Sequence, residues 1–227
     1  MKINYFSKAE QTLWGCSVAV ILIAFTIFDR ENFLTLTASL IGVTSLIFNA
    51  KGNPFGQGLM VLFSLLYGII SYGFRYYGEM LTYLGMTMPM AVFALISWLK
   101  NPYRGNRAEV AVNRIRGHEV VVMWVLTGAA TAVFGAALAF FNTANLSLSI
   151  LSVTTSFLAV YLTFRRDPRY AIAYAANDVI LIGLWVLAAA EDISYLSVAI
   201  CFAAFLANDL YGFWSWRRME ARQTLSS

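Results

Sequence analysis

GEMLTYL at residues 78–84 and AEDISYL at residues 190–196 read as one element written twice. Glu79, Leu81, Thr82, Tyr83 and Leu84 meet Glu191, Ile193, Ser194, Tyr195 and Leu196 at a constant offset of 112. Further out, Pro54 meets Pro168 at an offset of 114 and Trp98 meets Trp214 at 116, a drift that small insertions absorb. Self-similarity over such a range governs the reading of a whole chain, so the fold is sought as two copies of one unit.

Composition says what the unit is made of. Of the 227 residues, 59% fall in the set AVILMFWYC and 12% are charged, against roughly 45–50% apolar and about 25% charged in soluble domains. Mean hydropathy is +0.66. Disorder requires low hydrophobicity and high charge, and a disulfide scaffold requires many cysteines, so a chain with two Cys is neither. Mostly uncharged stretches cover 12–28, 33–50, 54–74, 80–99, 120–141, 146–164, 168–190 and 194–216, each long enough to cross a hydrocarbon core of about 30 Å. The first ends in Asp29, Arg30 and Glu31 with no small-x-small cleavage site, so it reads as a retained helix.

The expected fold is therefore an all-α polytopic membrane protein of about eight transmembrane helices, an extra N-terminal helix plus a parallel 3+1+3 repeat. Its parts are an N-terminal extra helix over 1–32, a first three-helix repeat over 33–100, a cytoplasmic loop and linker helix over 101–145, a second three-helix repeat over 146–218, and a cytoplasmic tail over 219–227. Corresponding helices lie an even number of spans apart, so both copies enter the membrane in the same direction. Parallel repeats of this kind hold a substrate between the halves near the midplane.

Charge orients the chain. With the N-terminus inside, Lys2, Lys8, Lys51, Lys100, Arg104, Arg107, Arg114, Arg116, Arg165, Arg166, Arg169, Arg217, Arg218 and Arg222 all fall on the cytoplasmic side, and only Arg30 and Arg75 fall outside. Asp29, Glu31, Glu79, Glu191 and Asp192 occupy the other side. Topology thus accounts for the net charge of +4 without a nucleic-acid partner. Both termini are expected in the cytoplasm.

Away from the span ends, only Asp178 and Asp209 are charged, each preceded by an asparagine, Asn177 and Asn208. An ionisable side chain at that depth costs at least about 2.5 to 3.5 kcal/mol, so a partner or a ligand must offset it. Asp167 and Pro168 look like an N-cap followed by a first-turn proline, which starts a helix and sets Asn177 about 13 Å deep. Tyr170, Tyr174, Asn177, Asp178, Leu181 and Trp185 then share one helical stripe. Such a stripe can stack a flat ring, read a hydroxyl with the amide and hold a ring cation against carboxylate and π-faces. Interhelical hydrogen bonding is the alternative role for the same groups. Gln57 and Asn53 flank Pro54 near an interface and are weaker candidates for ligand contact.

Trp98, Trp214 and Trp216 fall where interfacial belts form. His118 has no second ligand near it in sequence, and no metal or other cofactor is expected. The two intramembrane aspartates are not in a Gly-x-Gly-Asp setting and no Gly-x-Ser-Gly offers a nucleophile, so no catalytic residue is assigned.

ASLIGV (38–43), LLYGIISYGFRYYGEM (65–80) and the Pro89, Met90 and Trp98 of the fourth span resemble the PnuC-type vitamin transporters. RRDPRY (165–170), Asn177, and Gly212 ahead of a Trp and Arg end resemble the second half of the same family, and the likeness spans about residues 35–218. The resemblance implies a fold related to the SWEET transporters, a homotrimer, and facilitated uptake of nicotinamide riboside or a similar vitamin or nucleoside, trapped afterwards by cytosolic phosphorylation. The family commonly carries Trp-x-x-Trp-x-x-x-Asn in the seventh span and a Gln after Pro-Met in the fourth; here Tyr170 and Ala173 precede Asn177, and Ala91 follows Met90. These departures leave a deoxynucleoside, thiamine and riboflavin beside nicotinamide riboside as expected cargo. The expected substrate contacts are Tyr170, Tyr174, Asn177, Asp178, Trp185, Asn208, Asp209 and Gln57.

Overall fold

The computed structural model describes residues 5–73 and 77–225. Lys2 and Arg75 of the charge distribution, Phe74 and Tyr76 of the 65–80 run, and Ser226 and Ser227 of the tail lie outside the described residues. The chain is a helical membrane protein: among the described residues, eight helical segments are long and apolar enough to span a bilayer, each with a window of mean hydropathy between 1.5 and 2.0.

Local signals set the helix ends. Helix α1 (Lys8–Phe28) opens with a capping box, in which the Glu10 backbone N–H donates to Ser7 Oγ and the Ser7 N–H donates to the Glu10 carboxylate. Asn32 caps α2 (Phe33–Ala50) by accepting from the Thr35 N–H. The next elements are α3 (Pro54–Gly73) and α4 (Tyr77–Thr82), the latter running through a π-helical turn, Tyr83–Thr87, into α5 (Met88–Lys100). Pro89 explains the wide turn: it has no N–H for the Gly85 carbonyl and its ring crowds it, so the chain dilates and the Met88 N–H reaches Tyr83 O instead. The remaining helices are α6 (His118–Phe140), α7 (Leu146–Phe164), α8 (Tyr170–Ala188) and α9 (Leu196–Leu225).

Two details differ from the sequence reading. Helix α8 begins at Tyr170 rather than at Pro168, after a tight turn in which the Tyr170 N–H donates to Asp167 O and the Asp167 carboxylate accepts the Arg169 N–H. Helix α9 continues to Leu225, so most of the expected tail is helical.

Helix α2 packs on α3 and α3 on α5, and likewise α7 packs on α8 and α8 on α9. Helix α2 also lies against α9 and α5 against α7, while α1 and α6 are the least buried of the long helices along with the α4–α5 segment. One apolar cluster fills the middle of the bundle around Phe63, Tyr67, Trp185, Phe202 and Phe205. Another, around Trp98, Tyr161, Tyr170 and Trp216, fills the end where the Lys and Arg residues gather, here termed the basic end.

The segment between α5 and α6 is a strap across that basic end. Strands β1 (Pro102–Tyr103) and β2 (Asn106–Val110) pair antiparallel, turned by Arg104 and Gly105 at φ of +49° and +79°. The Val110 N–H donates to Gly52 O (2.9 Å), the Val112 N–H to Gln223 Oε1 (2.8 Å) and the Asn113 N–H to Arg166 O (3.0 Å). Asp167, fully buried, takes the Ile115 N–H (3.0 Å), the Arg169 N–H (2.9 Å) and the Arg169 guanidinium (2.7 Å). Burial alone would push its carboxyl up, but the Arg169 side chain and these backbone donors outweigh that and hold it below the usual carboxylate range.

Candidate functional site: a central cavity closed at one end

A cavity of about 330 Å³ lies among α3, α4, α7, α8 and α9. Its mouth is at the acidic end, between Tyr77–Glu79, the α6–α7 turn at Asn142–Asn145, and Glu191. Its depths reach Tyr174, Asp178 and Asp209. The π-helical turn after α4 contributes Tyr83 and Thr87 to the wall, placing the helix irregularity at the cavity, a common position for such turns.

Of the eight substrate contacts expected from sequence, five line this space: Tyr174, Asn177, Asp178, Trp185 and Asp209. The oxygen of Asn177 is held by helix α7, whose Ser152, Thr155 and Ser156 hydroxyls lie 3.1, 2.9 and 3.1 Å from Oδ1. These hydroxyls fix the orientation of the Asn177 amide at the cavity wall. Asp178 is 3% exposed and hydrogen-bonds the Asp209 carboxyl across the α8–α9 contact. A buried carboxyl pair of this kind is an attachment point for a donor or a cation brought by a ligand. Aromatic faces surround it: Trp185, Tyr83, Phe63 and Phe202 all line the space.

Tyr170, Gln57 and Asn208 stand elsewhere. Tyr170 is 2% exposed and belongs to a seal beneath the cavity, its hydroxyl donating to Asn49 O at 3.3 Å. The Trp216 indole N–H donates to the same carbonyl at 2.7 Å, and Gln57 Nε2 donates to Asn49 Oδ1 at 2.9 Å. The rings of Tyr170 and Trp216 meet edge-on at 5.0 Å, those of Trp98 and Trp216 lie 5.3 Å apart, and the Trp98 N–H reaches Thr163 O at 2.9 Å. Asn208 turns away from the cavity to donate to Ser17 Oγ of α1 (2.8 Å) and to Ala204 O. Trp98 and Trp216 are thus fully buried rather than interfacial, and of the three expected belt residues only Trp214, 52% exposed, faces outward.

The seal tolerates no extra bulk at Gly56, where an added Cβ would run into Asn49 Oδ1 and the Ser45 carbonyl. Ala91 and Ala173, which stand where the vitamin-transporter pattern has Gln and Trp, are both buried and do not reach the cavity.

Sequence reasoning missed Glu79 as a lining residue, having read it as part of the acidic rim. Its Oε2 is buried without a hydrogen-bond partner inside the cavity mouth. The signal was there, since Glu79 pairs with Glu191 at the offset of 112 and both line the same space. Ser152 and Ser156 were missed too, because a serine in an apolar helix bonds its own backbone as readily as a neighbour's side chain.

Comparison with known proteins matches this arrangement to one group. The sequence pattern of the nicotinamide mononucleotide transporter family covers residues 32–218. A nicotinamide riboside transporter PnuC of Neisseria mucosa is 24% identical over 204 residues, covering 87% of this chain and 77% of that protein. The corresponding transporter of Haemophilus influenzae is 20% identical over 218 residues, covering 95% and 92%. A crystal structure of the vitamin B3 transporter PnuC has the same fold, with a TM-score of 0.82 at 21% identity over 96% of this chain and 94% of that one.

Proposed function

The chain belongs to the nicotinamide mononucleotide transporter family, and from that premise we propose that it mediates facilitated uptake of nicotinamide riboside. The family moves its cargo rather than transforming it, so the residues of the cavity bind and release and catalyse no reaction. One observation carries the choice of cargo: the Asp178–Asp209 carboxyl pair, buried among aromatic faces. A pyridinium ring brings a fixed positive charge to that pair and about 0.5–2 kcal/mol of cation–π attraction when desolvated. The ribose brings hydroxyls for the Asn177 Nδ2 donors and the Ser152 and Ser156 hydroxyls.

In this reading Tyr174, Asn177, Asp178, Trp185 and Asp209 contact the cargo, and Glu79 and Glu191 draw the cation into the mouth. Tyr170 and Gln57 serve the seal and Asn208 ties α9 to α1. The parallel 3+1+3 repeat belongs to the same proposal, with α2, α3 and α4–α5 as one copy and α7, α8 and α9 as the other. It is supported by the crossed packing of α2 on α9 and α5 on α7, the pattern a two-fold relation would generate. The acidic end faces outward and the basic end, with both termini, faces the cytoplasm of a bacterial inner membrane, as the Lys and Arg distribution favours. A homotrimer and trapping by phosphorylation complete the proposal.

Uptake of labelled nicotinamide riboside into proteoliposomes tests it. Uptake should saturate, excess unlabelled riboside should displace the label, and its reduced, uncharged form should displace it more weakly. Displacement by thymidine, deoxyadenosine, thiamine or riboflavin with both riboside forms inert would replace the cargo. Reporter fusions after Ser227 and near Asn106 should both report cytoplasm.

A further inference from the structure

A second cavity, of about 360 Å³, opens at the acidic end between the α1–α2 turn and the start of α9. Its volume is within the range of roughly 300 to 1,000 Å³ typical of small-molecule sites. Trp185 lines both this cavity and the central one. Around the indole stand Tyr195, with ring centroids 5.6 Å away, and Tyr67, edge-on at 6.4 Å, both lining the second cavity. Asp29 and Glu31 of the α1–α2 turn add two carboxylates, and no Lys or Arg among the described residues lines the space. Arg30, between them in sequence, is directed back along α1, its Nε donating to Thr26 O.

Thr35 is the independent sign of a ligand. It is 7% exposed, it lines the cavity, and its Oγ1 has no hydrogen-bond partner: in the first turn of α2 it has no preceding helical carbonyl to bond, whereas Thr37 donates to Phe33 O. Burial also pushes the Asp29 carboxyl above its usual range, against backbone hydrogen bonds from Asn32 and Glu31 and with the charges of Asp192 and Glu31 adding to the rise.

We propose that this cavity is a second binding site, for a small organic cation carrying a flat ring, set beside the central cavity and sharing Trp185 with it. Three aromatic faces and two carboxylates suit a ring cation; an anion would meet like charge, and a neutral ring would gain nothing from the acids. The site takes its probe from the proposed function, while its position and composition stand without it. Cargo held there is concentrated at the mouth before it enters, as acid-lined surfaces concentrate cations generally.

Equilibrium dialysis of the purified full chain in detergent tests this, with labelled nicotinamide riboside and, separately, labelled 1-methylnicotinamide, a ring cation without the sugar. The expected result is two binding classes for the riboside. Asp29→Asn with Glu31→Gln should weaken one class about tenfold or more and leave the other, as should Thr35→Val, which removes the open hydroxyl without breaking a bond. Asp178→Asn should weaken the complementary class. The Asp29/Glu31 class should also fade with added salt, since its charges face water. Monodisperse gel filtration of each variant keeps misfolding from imitating the result. If neither the double variant nor Thr35→Val changes binding of either probe, the proposal is overturned. If those variants abolish binding of 1-methylnicotinamide while the central class and uptake of the riboside are absent altogether, this proposal stands and the proposed function falls.

Discussion

The two ends of the bundle are built on opposite plans. At the acidic end, two cavities open among helix ends, and Glu79 Oε2 has no hydrogen-bond partner. At the basic end, Trp98, Trp216 and Tyr170 fill the space to nearly zero exposure, and the 101–117 strap is pinned over them by backbone bonds to Gly52, Arg166 and Gln223. Full aromatic packing under a bonded strap makes the closed end; empty volume makes the receptive one. A carrier in this state is accessible from the acidic end, and transport requires the closed end to give up a defined set of contacts.

Trp216→Ala should break this contrast most severely. It removes a fully buried indole and one of the two donors on Asn49 O, so thermal unfolding in detergent should report a loss of about 3–5 kcal/mol. Asp167→Ala comes next, at about 1–3 kcal/mol, because it strips donors of the strap and of α8 of their acceptor. Its signature is pH. The folded carboxyl lies below its usual range, so its stabilisation is complete above about pH 4 and is lost as pH falls through the lower folded value. Acid titration of Tm should therefore show this loss in the parent chain and lack it in Asp167→Ala.

At the receptive end, Asn177→Ala should lower uptake by about tenfold, equivalent to roughly 1.4 kcal/mol within the range for one buried polar contact, and cost about 1 kcal/mol of stability because the Ser152 and Ser156 hydroxyls lose their acceptor. Equal uptake at equal membrane abundance would make Asn177 a link between α7 and α8 only. The smallest effect belongs to Arg222→Ala, whose ion pair with Glu109 (2.6 Å) is solvent-exposed on the arginine side and worth under about 1 kcal/mol. A larger loss there would mean that the strap depends on that pair.

Much of this was legible in the sequence, for reasons that differ from residue to residue. Hydropathy suffices for the spans because a bilayer imposes one length on every helix. Asp178 and Asp209 stood out because carboxylates are costly at that depth, and they do face one another. Trp98 and Trp216 misled because a tryptophan near a helix end looks the same whether it turns to the interface or under a neighbouring helix. Gln57 and Tyr170 were offered as ligand contacts, but both find their partner in Asn49, through its side-chain oxygen and its carbonyl. A backbone carbonyl as a shared acceptor leaves no mark in the residue order.

That carbonyl also bears on how the chain is made. The bonds that close the basic end join Asn49 to residues 121 and 167 positions later, and Trp98 to one 65 positions later. Helices emerge from the ribosome in order, so α2 waits through the synthesis of 167 further residues before Trp216 arrives. Until α9 is inserted the bundle has a cavity and no floor. Insertion of α9 is therefore the step at which a nascent chain stops being a potential leak, and truncation before Trp216 should harm the membrane as well as the uptake.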